Sequence, residues 1–289
     1  MKKIKFIAWV LLVLMAFTAC SPNAPTEQEE PKTEVEQKDE SEVSEKADAD
    51  NTVEKIKSKG KLVVGTSADY PPYEFTILKD GKDEIVGFDM ALARYIADEM
   101  GVELEIADMA FESLLIGLET GKFDIVIAGM NPDPERNANF SKTYYNATHG
   151  VLINKENEDN IKVLDDLKGK HLGVQIGTIQ EGIGEELEDV KLKSLPLITN
   201  LILELKTNKI DGVIMEKPVA ESYAKVHEDL MVVDDIEWGS DTEGSAVAIK
   251  KGNDELTAEI DKIIDKVLEQ KLIDQWVIEA NELNEGANQ

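Results

Sequence analysis

Arg136 closes the stretch Gly129-Met130-Asn131-Pro132-Asp133-Pro134-Glu135-Arg136, which follows directly on the apolar run Phe123-Asp124-Ile125-Val126-Ile127-Ala128. A guanidinium just past the carboxyl end of a buried parallel strand stands where open α/β sheets bind ligands, and its planar fork suits a carboxylate. The placement predicts a receptor for a small anion or zwitterion. The alternative is an Arg that caps a helix or pairs with Glu135 on the surface.

Other chemistries have less support. Only three histidines occur, His149, His171 and His227, and none stands in a metal-ligand spacing with another His or Cys, so neither metal nor cofactor is expected. There is no Gly-Lys-Ser phosphate loop and no nucleophile elbow. Glu181 with Glu185, or Asp165 with Asp166, could be read as acid/base dyads. A chain with 59 acidic residues produces such pairs by composition alone, and no catalysis is expected.

The elements that must position Arg136 alternate. Lys61 to Gly65 reads as a buried strand and Ile85 to Phe88 as a short one; Asp89 stands as the N-cap of a helix with Leu92, Ile96 and Met100 on one face, stopped by Gly101. Val102 to Ile106 as a strand, Glu112 to Thr120 as a helix and the strand from Phe123 complete a βαβαβ pattern, the mark of a parallel sheet covered by helices. The pattern restarts after Gly150: a strand from His171 to Gln175, Gly177-Thr178 before a helix, helical spacing from Leu197 to Asn208, a buried strand from Ile210 to Met215, and Pro218 at a helix start. A strand from Ser245 to Lys250 and helices over Glu255 to Gln270 and Leu272 to Ala280 end the chain.

The amino-terminal segment has a different character. Met1-Lys2-Lys3-Ile4-Lys5, an uncharged run from Phe6 to Phe17 and small residues up to Cys20 describe a secretory signal over 1–19, since a membrane span needs about 20 apolar residues. Cys20 is the only cysteine, which rules out a disulfide within the chain. Residues 21–52 hold eleven Asp or Glu against three Lys, too polar to bury a core, and read as a disordered acidic tether. Removing the three signal lysines takes the net charge from −28 to −31, of which the tether supplies 11 − 3 = 8 negatives. The remaining −23 argues against nucleic acid or an anionic lipid surface as partner.

Four segments stand together: Val64 to Phe75 (VGTSADYPPYEF), Val86-Gly87-Phe88-Asp89, Ala128 to Arg136, and Leu167-Lys168-Gly169-Lys170 leading to Gly173-Val174-Gln175-Ile176-Gly177-Thr178. In this order and spacing they resemble the bacterial extracellular solute-binding proteins of family 3, the receptors of polar amino acid ABC transporters, over nearly all of residues 54–280. Phe17-Thr18-Ala19-Cys20 is similar to a lipoprotein cleavage box, although Phe17 replaces the usual Leu. That likeness implies that Cys20 carries the lipid, palmitate included.

The resemblance implies an α/β fold, a type II periplasmic-binding-protein-like clamp of two lobes, each a mainly parallel sheet covered by helices, joined by a two-strand hinge. Lobe 1 would be 54–148 and 245–285 and lobe 2 150–241, with crossings near His149-Gly150 and Glu243-Gly244. By the same resemblance Arg136 grips the ligand α-carboxylate, helped by the amides near Gly129 and Asn131, where Asn131 replaces the commoner Thr or Ser, and by Thr178 at a helix start. Glu216, where the family more often has Asp, accepts the α-ammonium. Tyr70 and Phe111 supply aromatic walls, with Tyr73 and Glu74 as weaker candidates. Ser67 stands where some relatives hold a cationic side chain with Asp, a role Asp69 or Glu74 can take, so neutral polar and basic ligands both remain open.

The implied partners are an amino acid, a membrane permease with its ATPase, and the membrane through the lipid; monomer is the family habit. The implied location is the extracellular face of the cell membrane, or the periplasm in a cell with two membranes. The alternatives are a sensor acting through a membrane receptor and a dehydratase-like enzyme on the same fold. Physically, a zwitterion needs a cation and an anion fixed a few ångströms apart. Placing them on different lobes lets the ligand select the closed state.

Overall fold

A computed structural model describes residues 52–239 and 244–287. The signal segment, Cys20 and the acidic tether lie outside the described residues, apart from Thr52. Two five-stranded sheets organise the chain.

The first sheet is entered from helix α1 (Thr52–Lys59). It uses strands β1 (Lys61–Thr66), β5 (Glu103–Asp108), β6 (Ile125–Val126) and β7 (Ala138–Asn146), plus β13 (Gly244–Lys250) from near the end of the chain. Its order is β5-β1-β6-β13-β7. The second takes β8 (His149–Asn154), β9 (His171–Gln175), β10 (Lys191–Leu195), β11 (Gly212–Glu216) and β12 (Leu230–Trp238), in the order β10-β9-β11-β8-β12.

The two orders are the same pattern. In each, four strands run one way and one is reversed: β13 is antiparallel to β6 and β7, and β8 to β11 and β12. The reversed strand is the one that has just arrived from the other sheet. The chain passes from β7 to β8 through Ala147 and Thr148, a little before the expected His149-Gly150, which are already extended and paired with Glu216 and Met215. The return runs from β12 to β13 past Gly239 and includes Glu243, outside the described residues.

Helices cover the sheets where the apolar spacing requires. Helix α2 (Phe88–Met100) buries Leu92, Ala93, Ile96 and Met100 and is stopped by Gly101 in the left-handed region. A 3₁₀ turn (Phe111–Ser113) leads into α3 (Leu114–Glu119), α4 (Ile179–Glu186) follows β9, and α5 (Ile198–Lys206) follows β10. Helix α6 (Lys217–Val226) starts with Pro218 in its first turn, as its fixed φ favours. Helix α7 (Asp254–Glu269) packs on β7 and α1, and α8 (Leu272–Ala287) lies against α2. There Trp276 meets Tyr95 at 5.9 Å between ring centroids. Helix α8 also reaches the second-sheet side, where the Asn284 amide donates to Ser222 Oγ of α6 at 3.0 Å.

Three expectations need revision. The run from Phe123 forms only the two-residue β6, because its later residues leave the sheet to build the Arg136 loop. Ile85 to Phe88 divides: β4 (Lys82–Val86) ends before Gly87, and Phe88 opens α2. Strand β4 pairs with β3 (Glu74–Lys79), and β3 with β2 (Asp69–Tyr70), in a small antiparallel sheet. Asp89 is not the N-cap of α2. Gly87 holds that position, with φ 125°, and a Cβ there would stand 2.0 Å from the Tyr73 carbonyl oxygen. The close approach lets Phe88 and Asp89 amides donate to the Pro72 and Tyr73 carbonyls, which fixes the Tyr70 to Glu74 segment on the helix end.

Candidate functional site

The loop after β6 turns Arg136 away from Glu135 and toward the second sheet. Its Nη2 donates to the Gly177 carbonyl at 3.0 Å, its guanidinium lies 5.5 Å from the centre of the Phe111 ring, and its Nη1 is buried with no protein acceptor. Burial lowers its pKa below the ordinary arginine value, against the pull of Asp133. A guanidinium with one nitrogen held by a carbonyl and the other free is prepared for a carboxylate.

Around it the space is acidic. Asp69, Glu74, Asp89 and Glu216 are all buried. Glu216, at the end of β11, accepts from the Asn131 amide at 3.3 Å through Oε1; burial pushes its pKa up to about 7, with the neighbouring Tyr73 hydroxyl and the Asn131 amide opposing. Asp69 reaches about 7 for the same reason, with the Ile198 amide opposing. Asp89 accepts from the Gly129 amide at 2.8 Å and the Tyr144 hydroxyl at 3.0 Å, and burial outweighs both to bring it to about 6.

Glu74 has neither an amide nor a cation beside it. Burial first, then the charge of Asp89, raises it well above the carboxylate range. Two neighbouring buried carboxyls without a cation disfavour ionising together, which keeps Glu74 in its neutral form.

The second-sheet face offers mostly backbone and neutral groups. Thr178 caps α4, its hydroxyl donating to the Gln175 carbonyl at 2.8 Å and accepting from the Glu181 amide at 3.3 Å. The Glu181 carboxylate in turn accepts from the Gly177 amide at 2.8 Å, so the turn that meets Arg136 is held from both sides. The His149 ring is buried, shares a 3.0 Å bond with Gln180 and is pushed down to a pKa of about 4, which leaves it neutral.

A small cavity lies among these residues, lined by Ser67, Asp69, Tyr70, Glu74, Phe111, Ala128, Gly129, Asn131, Arg136, Gln175, Thr178, Ile179 and Gln180. Nine of the eleven residues named from sequence line it; Glu216 stands behind Asn131, and Tyr73 is buried against Tyr70. The Gly129 amide is engaged with Asp89, so that residue contributes its place in the wall more than a free donor. Glu74 is as central as Asp69. Gln175, Gln180 and the buried His149 went unread, since a β9 residue, an α4 residue and a β8 residue meet only through tertiary folding.

Among the described residues no group of three His, Cys, Asp or Glu is disposed to hold a metal. No described helix is long and apolar enough to cross a membrane.

Comparison with known proteins agrees with this architecture. The arginine-binding extracellular protein ArtP of Bacillus subtilis is 40% identical over 229 residues, covering 75% of this chain and 86% of that protein. The crystal structure of the amino acid ABC transporter substrate-binding protein AbpA from Streptococcus pneumoniae, bound to L-arginine, superposes with a TM-score of 0.77 at 38% identity, over 80% of this chain and 98% of that one. The ancestral amino acid-binding protein AncCDT-1, a precursor of cyclohexadienyl dehydratase, gives 0.71 at 34% identity, over 78% and 99%. With residues 62–279 matching the family model as well, the chain belongs to the bacterial extracellular solute-binding proteins, family 3.

Proposed function

We propose that the protein captures a cationic amino acid, arginine above all, and delivers it to an ABC permease. The observation that carries this reading is the charge inventory of the cleft: two buried carboxyls, Asp69 and Glu74, line the cavity with one guanidinium, and two more, Asp89 and Glu216, are bonded to its wall residues Gly129 and Asn131. A neutral zwitterion would match Arg136 with its carboxylate and Glu216 with its ammonium, and leave the Glu74–Asp89 pair to keep its proton. A ligand with a cationic side chain replaces that proton by a charge-assisted hydrogen bond. Tyr70 and Phe111 flank the path between the two ends, Ser67 and Asn131 add polar wall, and Thr178 brings the positive end of α4 toward the carboxylate.

In this reading the sheets belong to two lobes, 54–148 with 245–285 and 150–241, which close on the ligand. Closure excludes water and raises the value of each charged contact. Cys20 holds the lipid, and the acidic tether keeps the receptor at the outer face of the membrane near its permease. The names of the relatives support the ligand class, since ArtP and AbpA are described by their arginine.

Calorimetric titration with L-arginine and with L-citrulline, its neutral near-isostere, tests the proposal. Arginine should bind more tightly by about 10- to 100-fold, the worth of a hydrogen bond to a charged group. Equal affinities would remove the cationic class, and silence from every amino acid would remove the receptor reading.

A further inference from the structure

Helix α5 starts without a cap of its own. Its N-cap residue, Leu197, has no side-chain oxygen. Asp69 of β2 supplies one from the other side of the cleft, its Oδ2 accepting from the Ile198 amide at 2.7 Å in a fully buried bond that spans 129 residues of chain. The Asp69 carbonyl accepts from the Tyr223 hydroxyl of α6 at 2.8 Å, and the hydroxyl of the next residue, Tyr70, accepts from the Glu216 amide at 3.1 Å. Two consecutive residues on the first-sheet side thus hold three separate elements of the second-sheet side. All three bonds join protein to protein.

We propose that Asp69 is a closure latch, a positioning residue whose side-chain oxygen caps α5 in trans when the lobes meet. The inference rests on the two-lobe receptor reading above. With the cleft open, the Ile198 amide faces water and the carboxylate of Asp69 lies apart from it. Closing joins the two where the helix dipole favours a negative group and water no longer competes. Because the bond uses no ligand atom, it favours the closed state by the same amount for every ligand, and its loss shows mainly as faster release.

The decisive comparison uses Asp69→Ala, Asp69→Asn and Ile198→Pro, with L-arginine followed by stopped flow and calorimetry. Asn caps helices about as well as Asp but carries no charge, and Pro is accepted at the first helical position while lacking the N–H. Asp69→Ala should speed release by about tenfold, the size of a lost cap, with association little changed. Asp69→Asn should restore most of the loss, and Ile198→Pro should reproduce it, with no further loss when combined with Asp69→Ala.

If Asp69→Asn is as damaging as Asp69→Ala, or the Ala and Pro losses add, the residue reads ligand charge and the latch is wrong. If the unmodified chain binds no arginine, the receptor reading fails. The latch is then decided by small-angle scattering, where Asp69→Ala must expand the ligand-free protein and Asp69→Asn must not.

Discussion

The two halves of this molecule share a strand order and divide the work of the cleft unequally. The first sheet and its hairpin bring Arg136, Asp69, Glu74 and Asp89, all ionisable and mostly buried. The second brings helix starts at Ile179 and Ile198, the cap Thr178 and a neutral His149, with Glu216 as its one carboxylate at the cleft. On the proposed function, the same topology serves as a charged reader on one side and as a cover of backbone dipoles on the other. Reading needs side chains whose identity matters; covering needs amides whose direction matters. Mutations on the two faces should differ in kind.

The largest effect falls on the reader. Arg136→Ala should weaken arginine binding by about a thousandfold or more, since it strands a ligand carboxylate among buried acids, a loss of the order of 3–5 kcal/mol. The fold should survive, because the side chain makes a single protein hydrogen bond. Calorimetry beside a thermal melt checks both halves of the statement, and retained affinity would remove Arg136 from the carboxylate site. Glu74→Gln comes next: about 10- to 100-fold weaker for arginine and close to neutral for citrulline. An equal loss for both would mean that Glu74 merely supports the wall.

The buried acids of the cleft, on both faces, also give it a pH signature. Asp69 and Glu216 titrate at about 7 and Asp89 at about 6 in the folded chain, whereas unfolded carboxyls titrate near 4. Between those values the folded chain holds more protons than the unfolded one, so this contribution to stability is present at low pH and lost as pH rises from about 4 to 7. A cationic ligand reverses the trend, because it binds ionised Glu216 and the Glu74–Asp89 pair and displaces their protons. Arginine affinity should therefore rise from pH 5 to pH 7.5, with proton release visible as a dependence of binding enthalpy on buffer. An affinity flat across that range would separate the acids from the ligand.

How much of this was legible follows from the range of each signal. Arg136 was readable because a strand end and its loop are contiguous, and Thr178 because Gly-Thr before a helix is a local cap. The small hairpin was readable in principle from Asp80-Gly81, both with positive φ, but its polar strand residues Lys79 and Lys82 give no apolar alternation to flag it. Asp89 looked like a cap because Asp before an apolar face normally is one. Tertiary burial overrides that habit and spends the carboxylate on Gly129 and Tyr144 instead. The trans cap of α5 is beyond sequence altogether, since Asp69 and Ile198 carry no mutual pattern.

The smallest effect separates the cover from the reader most cleanly. Thr178→Ala removes an α4 cap, for which about 1 kcal/mol is usual, and Glu181 retains its bond to the Gly177 amide, so the turn that meets Arg136 is loosened without being lost. The melting midpoint should fall by a few degrees, and arginine and citrulline should weaken together by less than about tenfold, since both end in the same carboxylate. A residue that reads the ligand side chain, as Glu74 is proposed to do, cannot behave this way, because its loss must depend on that side chain. If Thr178→Ala instead changed the ratio of the two affinities, the second face would be selecting ligands as well as closing over them, and the division of work between the halves would have to be redrawn.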